Sequence, residues 1–416
     1  MEQLSIQEYL NNKKDIQSKL LEFVDASTNP NNYFDNLIAL ISDQKIVESP
    51  LEFKEFIRLL VQISNDHHRS PDFFDKIEQI LLHYNQNIKK SFTNKEILDM
   101  FNSNKKLLLF VIENKFITVD QSLFRTLKSK NFSSAYYLNY LFPQVQQVIG
   151  RVSRKSYEKE YQSHGDHFFK YQKVGENESP LYQYIRNDSI DSFSSFFQMK
   201  RLPASKKVTS SIFETNSLLT TKVPSLLEYS AFFGSLKIFK FLILNGAEME
   251  PSLWLYAIHG RNMEIIHIIE ENEIEPDDSF YDECLREAIL CHHNEIADYI
   301  INKYKIENLS NCLAASIECC NYLYFPENLT DNLAFYSLCK YNCTPLISFV
   351  ISDTNLKVNE TVVLNDILHY KIPLAILFEC SFHNIFVNNV PITLNFKIKF
   401  QKQKILNKIF NFLEFE

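Results

Sequence analysis

Residues 225–250 read SLLEYSAFFGSLKIFKFLILNGAEME, and the pattern returns 27 positions later, over 252–276, as SLWLYAIHGRNMEIIHIIEENEIEP. In the first copy Leu227 and Ala231 mark a short apolar stretch that Gly234 interrupts. Ile238, Phe239 and Leu242 mark a second stretch, closed by Asn245-Gly246-Ala247. The shift of 27 puts Trp254, Ile258, Ile265, Ile266 and Ile269 on the same positions. Apolar residues three and four apart share one face of a helix. Two short helices per fixed period predict stacked helical hairpins, because a hairpin standing alone leaves its apolar face in water. An array of this kind points to a binding scaffold before it points to an enzyme.

The period extends both ways. A third copy, ECLREAILCHHNEIADYIINKYKIENL over 283–309, sets Leu285, Ala288, Ile289, Ile296 and Ile300 in register, with His292-His293 at the turn between helices. Upstream, SPLYQYIRNDSIDSFSSFF begins at Ser179 and places Leu181, Ile185, Phe193 and Phe196 likewise. Ser179 is expected to cap the first helix there, with Pro180 in its first turn. Looser copies span 331–358, 361–387, 94–119 and 121–142. Ile265, Ile266, Ile269, Ile296 and Ile300 are the predicted core.

Ser179-Pro180-Leu181-Tyr182 stands where Thr-Pro-Leu-His opens an ankyrin repeat. Gly234 between helices, Asn294-Glu295-Ile296 opening a second helix and Asn245-Gly246-Ala247 closing one follow the same plan. The longer run is GENESPLYQYIRNDSIDSF (175–193), SSIFETNSLL (210–219), PSLLEYSAFFGSLKIFKFL (224–242) and LWLYAIHGRN (253–262). It resembles a lineage-expanded protist family of divergent ankyrin-repeat proteins, described mainly as a domain of unknown function. The likeness is strongest over 175–307. It implies an α-helical, ankyrin-like array with no established catalytic activity. The chain departs from that plan where Arg261 and His292 replace the inter-helix glycine, and the Gly-Ala turn is intact only at 246–247.

With 45% hydrophobic and 23% charged residues, 416 residues make a globular chain with ample surface to bury. Six glycines, none close enough to another to cradle a phosphate, exclude the common nucleotide-binding loops. A net charge of −8 disfavours general nucleic-acid binding. The first residues, MEQLSIQEYLNNKKD, lack a basic segment followed by an apolar one, so no signal peptide is expected. No stretch has the roughly 18–20 apolar residues of a membrane span, so no integral membrane segment is expected. Eight cysteines without a spacing framework fit reduced thiols in the cytoplasm or nucleus, with Cys284 and Cys312 facing the core.

The expected organisation is all-α: an N-terminal helical block over 1–149, a polar linker over 150–178, an ankyrin-like helical-hairpin solenoid over 179–387 and a C-terminal cap or tail over 388–416. Helices are expected over 34–47, 51–64, 72–88 and 94–112. The stretch 200–224, with Pro203 and Pro224, reads as a second solvated connection. In 390–400, Ile392, Leu394, Phe396, Ile398 and Phe400 alternate at a strand period, and a lysine-rich helical pattern follows. That end fits a cap on the array or a basic surface for a membrane or an acidic partner.

No residues combine into a catalytic pattern. Serines lack a nucleophile elbow. Cys284, Cys291, His292 and His293 cluster in one repeat, but no C-x-x-C or H-x-x-x-H completes a tetrahedral set. His293 instead falls where ankyrin repeats carry a turn-stabilising His or Asn that bonds backbone. His164-Gly-Asp-His167 stands alone, and the pairs His67-His68 and Cys319-Cys320 lack partners at a useful spacing. No metal and no cofactor are therefore expected.

The resulting expectation is a non-catalytic scaffold binding a partner protein on the concave face of its array. The two positions before each inter-helix turn point into that groove, which nominates Arg186, Asn187, Phe232, Phe233, His259 and Leu290. The alternatives are an adaptor or enzyme whose N-terminal block acts while the repeats recruit, and peripheral membrane association through the basic tail.

Overall fold

A computed structural model of the chain describes residues 5–352 apart from 129–133, 279, 307–308, 327–328 and 330–331. The described residues are all-helical, with no strand and one isolated bridge pair, Lys207 with Ser225. Residues Met1–Pro326 make one compact unit and Glu327–Glu416 a second.

The first unit opens with α1 (Ile6–Asp25), α2 (Pro30–Asp43), α3 (Pro50–Asp66), α4 (Phe73–His83), α5 (Asn85–Ser91), α6 (Asn94–Phe101) and α7 (Lys105–Glu113). Local chemistry sets their starts. Ser5 with Glu8 and Thr93 with Glu96 form reciprocal capping boxes, and Ser49 caps α3 ahead of Pro50. The expected helices 72–88 and 94–112 each split in two. In the second case Asn104 is responsible, since its side chain accepts from the Leu107 N–H at 3.0 Å and starts a new helix.

Next come α8 (Gln121–Leu127), α9 (Ser134–Tyr140), α10 (Phe142–Val145), α11 (Arg151–His164) and α12 (Phe168–Val174). Much of the stretch 150–178, expected as a polar linker, is therefore helical. Tyr161 of α11 sets its ring against Phe142 (5.7 Å) and Phe168 (4.8 Å), which gives this polar helix one aromatic edge to pack with.

The hairpins follow: α13 (Pro180–Arg186) with α14 (Ile190–Met199), then the short α15 (Ser217–Thr221). After it come α16 (Leu226–Phe232) with α17 (Leu236–Leu244), α18 (Leu253–Gly260) with α19 (Met263–Glu271), α20 (Asp282–Leu290) with α21 (Asn294–Tyr304), and α22 (Ser310–Cys319). First helices pack side by side, α13 on α16, α16 on α18, α18 on α20 and α20 on α22, while α14 meets α17 and α17 meets α19. One continuous core results. Ile238, Phe239, Leu242, Trp254, Ile258 and the five predicted isoleucines are all buried in it, as are Cys284 and Cys312.

The hairpin turns share one backbone solution. Asp188, Gly234, Arg261, His292 and Cys320 all have positive φ, from 46° to 65°. At Gly234 the N–H bonds the Ala231 carbonyl and the next N–H, of Ser235, bonds that of Ser230. Asp188–Ser189 and His292–His293 repeat this pair of bonds, which is the Schellman closure of a helix C-terminus. Arg261 and His292 thus hold the conformation for which Gly234 is the low-cost residue. Side chains after the turn then tie neighbouring hairpins together. Ser235 donates to the Ile185 carbonyl (2.5 Å), His293 Nδ1 to that of Ile258 (2.8 Å) and Asn321 to that of Ile289 (3.0 Å). The backbone role read for His293 holds. Ser179 differs from expectation: it stands at the N-cap of α13 but its hydroxyl makes no capping bond. Its N–H is instead tied to Asn177 Oδ1.

The stretch 200–224 is a packed segment rather than a solvated connection. Phe213, Val208 and Leu219 are buried. Lys105 of α7 donates to the Ile212 carbonyl at 2.6 Å and Arg69 to Thr215 Oγ1 at 3.0 Å.

In the second unit α23 (Asn332–Lys340) and α24 (Thr344–Ser352) form a hairpin whose turn residue Asn342 has φ 55°. A hairpin here agrees with the looser copy expected over 331–358, as far as the described residues reach. The copy expected at 361–387, the alternating stretch 390–400 and the basic tail lie outside the described residues. Among the described residues no helix is long and apolar enough to cross a membrane.

Candidate functional site

The six nominated residues divide by burial. Phe232 and His259 are buried, and their rings stack at 4.9 Å and 24°. Arg186 is anchored inward: its guanidinium donates to the Asn177 carbonyl (3.0 Å) and Tyr229 Oη (3.1 Å) and pairs with Glu176 (2.7 Å). Phe233 is half-buried, with its ring against Tyr229 and Phe232. Leu290 is half-buried against the core, and Asn187 is exposed. Of the six, Asn187 is exposed, Phe233 and Leu290 keep part of their surface in solvent, and the other three are held inward.

The hairpin turns meet the N-terminal block through polar contacts, several of them buried. Gln17 of α1 donates to Asn321 Oδ1 (2.7 Å), faces His292 Nδ1 (3.1 Å) and accepts from the Tyr322 N–H (2.7 Å). At the end of α3, His67 Nδ1 meets the Cys291 carbonyl (2.8 Å) and its Nε2 meets Asp25 (2.8 Å). Asp25 also takes Arg261 at 2.6 Å. The His68 N–H points at His293 Nε2 (3.3 Å), and Arg58 donates to the carbonyls of Ile317 and Glu318. The pair His67-His68, which lacks a partner at any useful spacing in sequence, finds one in space: the His67 and His293 rings lie 4.9 Å apart.

These partners fix proton positions. His293 must carry its proton on Nδ1, which faces a carbonyl, leaving Nε2 to accept from His68. In His292 the roles reverse, because Nε2 faces the Cys319 carbonyl and Nδ1 faces the Gln17 amide. Burial keeps both rings neutral, with His292 pushed down to about 3. At Asp25 burial opposes ionisation, but His67 and Arg261 outweigh it and bring the carboxyl down to about 2.

A second cluster lies one step along. His259 of α18 bonds Glu287 of α20 through Nε2 at 2.6 Å. With Cys291 they bring three metal-ligating atoms within 4.8 Å of one another. Burial raises the Asp66 carboxyl to about 7, with His259 pulling it down and Glu287 pushing it up. The four residues grouped by sequence do not converge: both nitrogens of His292 and of His293 face other partners. Sequence reading passed over Glu287 because it looks like one of many helix-surface acids. It joins His259 only through the stacking of neighbouring hairpins.

A cavity of about 320 Å³ opens between α11 and the 208–224 segment, lined by Glu160, His164, Glu178, Glu214 and Tyr229 among others. One oxygen of buried Glu214 accepts from the N–H groups of Thr215 and Asn216, and the other has no hydrogen-bond partner.

No curated protein matches the chain, and no solved structure does. Residues 244–325, from the end of α17 through the turn after α22, match the family described as "Domain of unknown function (DUF3447)".

Proposed function

We propose that the chain is a non-catalytic protein–protein interaction scaffold whose hairpins form a divergent ankyrin-like solenoid. The observation that carries the proposal is the turn repeated hairpin after hairpin, with a positive-φ residue closing the first helix and a side chain reaching the preceding hairpin. That arrangement sets neighbouring units at a fixed step and builds an extended surface. Partner protein contacts are assigned to Asn187, Phe233 and Leu290, the three that keep surface in solvent, with Arg186, Phe232 and His259 held inward. The N-terminal block belongs to the same recognition unit, because its buried contacts hold the hairpin turns in place. Buried thiols at Cys284, Cys291, Cys312 and Cys319 fit work in the cytoplasm or nucleus.

The test is affinity capture with the full chain and two variants that keep the wild-type melting curve. Phe233→Asp with Leu290→Asp should lose the captured partners, while Lys237→Glu, exposed on a second helix, should retain them. Equal capture by both variants would move the binding surface elsewhere, and no selective capture by the wild type would remove the scaffold reading.

A further inference from the structure

We propose that His259, Glu287 and Cys291 form a zinc site that ties α18 to α20. Glu287 and Cys291 stand four apart, at the end of one helix, and so share a face. That face is turned toward α18, the next first helix in the row. There His259 supplies a nitrogen whose ring is held flat against Phe232 at 4.9 Å. His259 and Cys291 are buried and the Glu287 side chain is 15% exposed, so the cluster is shielded without being sealed. The three ligand atoms lie within 4.8 Å of one another. Tetrahedral zinc, at about 2.0–2.3 Å from each ligand, holds neighbouring ligand atoms roughly 3.3–3.6 Å apart. The set therefore accepts an ion after side-chain shifts of about 1 Å, with the His259–Glu287 pair opening from 2.6 Å and the Cys291 distances, at most 4.8 Å, closing.

The donor set selects the metal. One imidazole, one thiolate and one carboxylate suit zinc, whereas magnesium and calcium require oxygen ligands. Thiolate and carboxylate together neutralise the ion. Binding releases the Cys291 thiol proton to solvent and displaces from Nε2 the proton of the His259–Glu287 hydrogen bond, and a water completes the four ligands. The site would also steady the neighbouring seam, since the Cys291 carbonyl is the partner of His67. It departs from the sequence expectation of no metal, and it stands apart from the scaffold proposal because neither requires the other.

Cobalt(II) titration of the reduced, chelator-stripped full chain tests it. One equivalent should produce the visible bands of tetrahedral cobalt and a near-ultraviolet thiolate charge-transfer band, both erased by stoichiometric zinc. Cys291→Ser should remove the charge-transfer band, Glu287→Gln should weaken binding at least tenfold, and Cys284→Ser should leave both unchanged. X-ray absorption at the zinc edge of the reloaded wild-type protein needs no variant to fold and should show one sulfur among nitrogen and oxygen ligands. A wild-type protein that gives no tetrahedral spectrum overturns the proposal. So does a charge-transfer band that survives Cys291→Ser, or a zinc shell with no sulfur or with several.

Discussion

Two glycines show how much depends on single atoms here. A Cβ added at Gly260 would lie 1.9 Å from the Ala231 carbonyl oxygen, inside the α16–α18 contact. At Gly246, in the turn after α17, an added Cβ meets nothing, and only its φ of 84° is unfavourable. Backbone overlap should outweigh local strain. Gly260→Ala is expected to lower unfolding free energy by about 3 kcal/mol or more, against about 1–2 kcal/mol for Gly246→Ala. Urea denaturation of the two variants checks the order. Gly234 was legible as a turn glycine. Gly260 was not legible as a packing glycine, because its reason lies on another helix. Asp25 gives a pH signature at the same scale. Its carboxyl is depressed in the folded chain, so its contribution is complete above the unfolded value near 4 and disappears as pH falls through about 2. After allowance for its partial exposure, Asp25→Asn should cost about 1 kcal/mol at pH 7. That deficit should close near pH 2 when both proteins are melted in parallel.

At the scale of elements, the repeat period located α16 to α21 well, since burial of one face per helix is what produces the period. Ile266 shows the strength of that signal: it is 1% exposed inside the continuous core. Ile266→Asp places an unpaired charge there and is expected to cost about 3–5 kcal/mol. An unchanged urea midpoint would mean that the register of α19 is wrong. Two segments pack without such a period. Polarity alone marked 150–178 as a linker, but α11 packs through a few aromatics that composition averages away. Proline and lysine marked 200–224 as solvated, but it is pinned by Lys105 and Arg69 from distant helices. A sequence shows apolar periodicity and conceals which backbone carbonyls will attract a buried cation.

For the molecule as a whole, circular dichroism should show a helix-dominated spectrum, and a sheet-dominated one would remove the basis of the hairpin array. What sequence could not show is how the N-terminal block meets the hairpin turns. Gln17 of α1 is fully buried, although no apolar period marks it. Its partners His292 and Asn321 stand 275 and 304 positions away along the chain with no shared period. This block is seated on the turns of the hairpins within the first unit. Asp25 and Arg261, 236 positions apart in sequence and hydrogen-bonded at 2.6 Å, make that seating measurable without disturbing the core. A double-mutant cycle of Asp25→Asn and Arg261→Met, followed by urea unfolding at pH 7, isolates their interaction. The expected result is a coupling of about 1 kcal/mol that shrinks as salt is raised. Strictly additive effects, with no coupling at low salt, would contradict it.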